Sequence, residues 1–204
     1  MNFVENFKKF DYLGKALNFI IKNSDSNYSP YHNLNHNITV TNFAYYIGQS
    51  EGLKKEEMKE LLIAAIFHDF NHTAGEKKDD TNIQNSKNGV KKFIEEKDVD
   101  VDLEKVYDII NATEYPYTID NNKLTKQQEI IRDADLMQLL EPTRLQANWL
   151  GLSKEVGVSF VEWLKAQKKF VSNCEFNTSL GKKLKERNWK KIEEELEYLT
   201  KITS

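Results

Sequence analysis

The sequence predicts an all-α protein built as one domain, and three observations carry that expectation. Its 204 residues include only three prolines and eight glycines, too few for the turns of a β-sandwich or barrel. Apolar residues recur three and four apart through long stretches rich in Leu, Ile, Lys, Glu and Asn, the spacing that gives a helix one buried face. No composition shift, internal repeat or Pro/Gly-rich linker divides the chain, and its length suffices for one well-buried core.

Taken in order, an amphipathic first helix is predicted from Phe3 to Lys22. The run SDSNYSP breaks it, because serine, asparagine and proline favour turns. Helical periodicity resumes in HNITVTNFAYYIGQS and closes at EGL. The stretch KKEEMKELLIAAIFHDF then reads as a helix by its alanines and length, buried through LLIAAIF. Further helices are predicted in TNIQNSKNGVKKFIEE, DLEKVYDIINAT, TKQQEIIRDADLMQLL, SFVEWLKAQKKFV and the lysine- and glutamate-rich closing segment, with TEYPYTIDNN as a loop.

Composition excludes several classes of function. The first residues have neither the basic start nor the continuous apolar core of a signal peptide, and no run approaches the ~18 apolar residues of a membrane span. A cytoplasmic protein is expected. Cys174 is the only cysteine, so no internal disulfide forms, and it reads as an ordinary part-buried residue. Twenty-nine basic and 32 acidic residues leave a net charge of -3, with lysines dispersed among glutamates as on wet helix faces. No basic stripe of the kind that tracks nucleic acid is present.

The four histidines fall in two pairs of equal spacing, His32 and His36 in YHNLNH, and His68 and His72 in HDFNH. On a helix, residues i and i+4 share a face, so each pair is expected to address one site. Asp69 adds a carboxylate beside His68, and RDADLMQLL offers Asp133 and Asp135. Two positions along a helix turn a side chain by roughly 200°, so only one of those two aspartates can face the site. Imidazole with carboxylate and no thiolate suits zinc, iron, manganese or a mixed pair. Burying such groups without partners is costly, which makes a metal centre the expected purpose.

The order His36, then His68 and Asp69, then the aspartate of DADL resembles the HD-domain superfamily of metal-dependent phosphohydrolases. Within it, YHNLNH, FHDFNH, NAT before an acid, and AQKKF are similar to the motif series of class I 3',5'-cyclic nucleotide phosphodiesterases. YHN, HD and DADL are also similar to segments of small bacterial HD proteins described as predicted phosphohydrolases. The resemblance covers most of the chain and implies one HD-domain helical bundle over residues 1–204. It implies His36, His68, Asp69 and Asp135 as metal ligands, Asp69 bridging to a second ion. The ions implied are zinc, manganese, magnesium or iron, one held tightly and a second more weakly. His32 matches the proton donor to the leaving oxygen, with Asp69 and His72 in the catalytic set. His72 and Thr113 match groups that hold water on the second ion. Gln167 and Phe170 match the pair that orients and clamps a base, with Tyr31 also touching substrate, and Glu114, Tyr115 and Tyr117 are placed along the cleft. Gln84 stands where the phosphodiesterases carry a glutamate near the second ion. The segment between Asp135 and Gln167 lacks most of the part that closes over substrate, which bears on base selectivity.

The activity implied is hydrolysis of a cyclic nucleotide or related nucleotide phosphodiester by a metal-activated hydroxide, with His32 as general acid. The alternatives are a nucleotidase acting on nucleoside monophosphates and a metal-stapled regulatory module without turnover. The partner expected is a small-molecule nucleotide, not nucleic acid or membrane, with a homo-oligomer left open.

Overall fold

The computed structural model describes residues 9–75 and 78–203, and every regular element among them is helical. Helix α1 spans Asp11–Asn23, later than the predicted start, because Phe10 is extended (φ -121°, ψ 95°); the predicted portion before Lys9 lies outside the described residues. SDSNYSP forms a short 3₁₀ turn, Asp25–Tyr28. Helix α2, Leu34–Ser50, is capped by Asn33, whose side chain accepts the backbone N–H groups of Asn35 (2.9 Å) and His36 (3.2 Å). That cap sets His36 in the first turn and leaves His32 outside the helix.

Helix α3, Lys55–Phe67, is the centre of the molecule. Leu61 through Phe67 are all buried, so this helix is apolar on every side and must be surrounded. It touches α1, α2, α4 (Asp79–Lys97), α5 (Leu103–Asn111) and α6 (Lys126–Leu136). Each fully buried Leu, Ile or Phe here contributes about 1.5–3 kcal/mol relative to exposure. The helix stops at Phe67, three residues before the predicted end. His68 is its C-terminal cap, and HDFNH turns away with Asn71 at φ 54°. Neither histidine pair therefore lies four apart on a helix face, which corrects the expectation drawn from their spacing.

Helix α6 opens with a reciprocal cap between Thr125 and Gln128 and tightens into a 3₁₀ turn at Met137–Leu140. Residues 141–158 carry Pro142 and two glycines, and no element was expected there. The chain instead makes wide π-type turns over Leu145–Gly151 and passes into helix α7, Leu152–Glu155. The wholly buried Trp149 anchors this segment in a second apolar cluster with Leu164, Val171, Ile192 and Leu196. The last two come from α9 (Ser179–Ile202), and Leu164 and Val171 from α8 (Phe160–Asn173), which opens with a Ser159–Glu162 capping box.

Asp133 joins this C-terminal part to the main core. Its carboxylate accepts the backbone N–H groups of Asn177 (2.7 Å) and Thr178 (2.8 Å), the Thr178 hydroxyl (2.6 Å) and the Asn177 amide (3.2 Å). Gly181, in the first turn of α9, permits the approach, since a Cβ there would run into that carboxylate and the Phe176 ring. Cys174 is buried beside this junction, more deeply than expected, and no helix of the described residues is long and apolar enough to cross a membrane.

Candidate functional site

The histidines regroup across the two sequence pairs. His36 on α2 and His68 and Asp69 from the turn after α3 draw together, and Asp135 near the end of α6 reaches both imidazoles. His36 Nε2 lies 3.2 Å from Asp69 Oδ2 and 3.1 Å from Asp135 Oδ1. His68 Nε2 lies 3.0 Å and 3.7 Å from the same two atoms, and the two ring nitrogens are 3.3 Å apart. Adjacent donors about 2.0–2.1 Å from a shared ion, at tetrahedral or octahedral angles, stand about 2.8–3.4 Å from one another. His36, His68 and Asp69 thus have the mutual spacing of a coordination shell, and Asp135 stands beside them, near both imidazoles.

The outer nitrogens reinforce this. His68 Nδ1 donates to the Ala65 carbonyl (2.8 Å), and His36 Nδ1 to the Gln138 side-chain oxygen (3.1 Å). Both partners hold the proton on Nδ1 and turn the Nε2 lone pairs toward each other and toward two carboxylates. Only a cation or added protons stabilise that arrangement, so the donor set fits a divalent ion. Burial opposes charge on His36, but hydrogen bonds to Asp135 and Asp69 and their charges prevail, and its pKa is pushed up to about 9. Burial likewise opposes charge on His68, yet Asp69 and Asp135 hold it well above the usual imidazole range. Against their own burial, the charge of His68 leads in holding Asp69 low, and hydrogen bonds from His36 and His68 do so for Asp135. Asp133 faces the junction with α9 instead, as the 200° rotation requires.

A second cluster adjoins the first. His32 and His72 stack with ring centroids 3.7 Å apart, and Glu155, at the end of α7, closes on them. One oxygen of Glu155 pairs with His32 Nδ1; the other accepts the backbone N–H groups of Tyr31 (2.9 Å) and His32 (3.0 Å). Burial raises the Glu155 pKa, but these hydrogen bonds and the His32 charge outweigh it and keep the carboxyl below its ordinary value. His72 is shifted down, by burial above all, and its Nδ1 accepts the Ala74 N–H (3.1 Å). Sequence reasoning missed Glu155, which lies 123 residues from its partner in a segment without periodicity.

The second cluster, with Asp135 of the first, lines a cavity of about 410 Å³. Tyr31, His32, His72, Thr113, Asp135, Gln167 and Phe170 line it, as do Tyr115 and Tyr117 from the loop after α5. Asn148, which donates to the Tyr31 hydroxyl (3.1 Å), and Asp79 and Trp163 also line it and carried no sequence signal. Gln167 is only 5% exposed, yet its amide has no hydrogen-bond partner among the described residues. Two expectations are corrected. Gln84 is exposed, because Asn82, Ser86 and Gly89 form the inward face of α4, Ser86 donating to the His68 carbonyl (2.5 Å). Glu114 turns away from the cavity to accept from the Thr118 hydroxyl (3.1 Å).

Residues 31–87 match the family model described as 3'5'-cyclic nucleotide phosphodiesterase. That stretch carries all four histidines and Asp69 but ends well before Asp135 and Glu155. No curated protein matches the chain.

Proposed function

We propose that this chain is a metal-dependent phosphodiesterase acting on a nucleotide phosphodiester. The observation that carries the reading is that a His36, His68 and Asp69 cluster that could hold an ion adjoins, through Asp135, the cavity that a carboxylate-backed histidine lines, and the likeness of residues 31–87 to the cyclic nucleotide phosphodiesterase model supports it. His36, His68, Asp69 and Asp135 would hold the ion. When bound, a divalent ion supplies activation of the attacking water and neutralises charge on the phosphoryl oxygens.

The chain's own groups do the rest. His32 presents Nε2 to the cavity while Nδ1 faces Glu155, so it delivers a proton to the leaving oxygen from Nε2 and Glu155 stabilises the imidazolium. His72, shifted toward its neutral form, covers one face of that ring without adding a second positive charge. Thr113 faces the same space, Gln167 offers both amide groups to a base edge, and Phe170 and Tyr31 offer apolar faces. Among the described residues, no lysine or arginine lines the cavity, which favours a singly charged diester over the terminal phosphate of a monoester. An acid aimed into the cavity, in turn, has no use in a merely structural metal staple.

The test is metal analysis of the purified protein, followed by turnover of bis(p-nitrophenyl) phosphate, 3',5'-cyclic nucleotides and nucleoside monophosphates with manganese, magnesium, zinc or iron added. Metal-dependent cleavage of diesters over monoesters is expected. Cleavage of monoesters alone would favour the nucleotidase, and a metal-replete protein inert toward all would favour the regulatory module.

A further inference from the structure

The cleft does not end where one nucleotide would. Across Trp163, Gln167 and Phe170, which line both spaces, it adjoins a second lobe of about 440 Å³. Each lobe by itself lies within the roughly 300–1,000 Å³ of ordinary small-molecule sites. The first holds the acid and the carboxylates, and the second, the outer lobe, holds none of them and adjoins it across Tyr115, Tyr117, Leu136, Trp163, Gln167 and Phe170.

The outer lobe has its own chemistry. Its inner wall is aromatic, with Tyr115, Tyr117, Trp163 and Phe170 shared between the lobes. Tyr117 is stiffened from behind, since the buried Arg132 guanidinium lies 4.0 Å from its ring centroid, while the ring remains 38% exposed. Such fixed faces stack nucleobases without regard to their edges. Charge also changes along the cleft. The inner lobe is lined by Asp79, Asp135 and Glu155 with no cation, whereas the outer lobe carries Lys169, which has no ion-pair partner among the described residues, together with Glu175, whose carboxylate accepts from the Asn121 amide (2.9 Å). Asn173 stands one helical turn further along the same face of α8, its amide likewise without a partner among them.

We infer that the site is built for a dinucleotide: its scissile phosphodiester and first base occupy the inner lobe, and its second base and second phosphate the outer one, against the aromatic wall and Lys169. The inference rests on the phosphodiesterase reading of the inner lobe. The reaction breaks one P–O bond, water supplies the new oxygen on phosphorus, His32 protonates the departing alkoxide oxygen to give the hydroxyl, and the second phosphate is untouched.

The test compares an adenine dinucleotide carrying two phosphates with 3',5'-cyclic AMP and bis(p-nitrophenyl) phosphate. Ala166→Trp fills the outer lobe, the only one of the two that Ala166 lines, and Lys169→Glu reverses its charge. Each is expected to lower kcat/KM for the dinucleotide by about 10- to 100-fold relative to that for bis(p-nitrophenyl) phosphate on the same variant. The native protein should prefer the dinucleotide to cyclic AMP. Equal preference, or a loss shared by all three substrates, overturns the inference and leaves the phosphodiesterase reading intact. Calorimetric binding of the phosphorothioate dinucleotide tests the outer lobe even without turnover. Binding that both variants weaken supports the outer site though the enzymatic reading fails, and absence of binding by the native protein overturns it.

Discussion

Glu155→Gln tests the acid directly, because the structure fixes how many donors the side chain must serve. The carboxylate has three: two backbone N–H groups on one oxygen and the His32 ring on the other. An amide brings one acceptor oxygen and two N–H groups. Keeping the two backbone bonds turns the NH₂ group toward His32 Nδ1, which must then accept, so the ring proton moves to Nε2 and the imidazolium loses its counter-charge. Turnover of a substrate with an alkoxide leaving group should fall about 10²- to 10⁴-fold, equivalent to about 3–5 kcal/mol in the barrier. The lost charge-assisted hydrogen bond should cost about 1–3 kcal/mol of stability, a fall in Tm of roughly 2–12 °C for a chain of this size. Steady-state kinetics on a nucleotide diester and on bis(p-nitrophenyl) phosphate, with metal content measured on the same preparations, make the assay. Nitrophenolate leaves without a proton, so its loss should shrink to about tenfold or less. Equal losses on both substrates, or loss of metal, would refute the role given to Glu155 and His32.

Other substitutions separate the two clusters. His32→Asn should keep metal while sharing the losses of turnover and Tm expected of Glu155→Gln, since it breaks the same bond, whereas His36→Asn should lose metal and activity together on every substrate. Gln138→Leu removes the acceptor for His36 Nδ1 and should weaken metal binding about 10- to 100-fold by competition titration, with Gln138→Glu restoring much of it. Asp133→Ala orphans the donors of Asn177 and Thr178 and should lower stability by about 2–4 kcal/mol in urea, with metal content unchanged. For pH, His36 in the metal-free protein rises to about 9 from an unfolded value of 6.5, so its stabilisation is complete below pH 6.5 and is lost as pH rises through 9. Metal uptake at pH 7.5 must displace that proton, so calorimetry in buffers of different ionisation enthalpy should show proton release that fades above pH 9.

Periodicity made the helices legible, and the residue types made legible a cluster that could hold a metal. Where helices stop decided the rest. His68 caps α3 instead of continuing it, and His32 precedes the Asn33 cap, so spacing alone suggested the wrong partners for both. Short polar turns are set by tertiary contacts, such as the Ser86 hydroxyl on the His68 carbonyl, that no local pattern announces. Gln84 followed the same logic, because one residue along a helix decides whether a side chain faces the core or water. Glu155 was beyond reach for another reason: its segment is held by the burial of Trp149, not by a repeating apolar face.

The place of the candidate ion ligands along the chain bears on how such a protein can diverge. All four lie at or before Asp135, while Asn148, Trp163, Gln167, Phe170 and the outer lobe's Lys169 come after it, on a segment with its own small core, and Tyr31, Thr113, Tyr115 and Tyr117 bring the rest of the wall from before it. On the reading proposed above, replacement of residues 145–173 would reshape one part of the wall while the bond that is broken stays the same. One position in that stretch is not free to drift. Whatever sequence is grafted there must return a carboxylate to the place of Glu155, or the new molecule will be held beside a histidine that no longer serves as an acid.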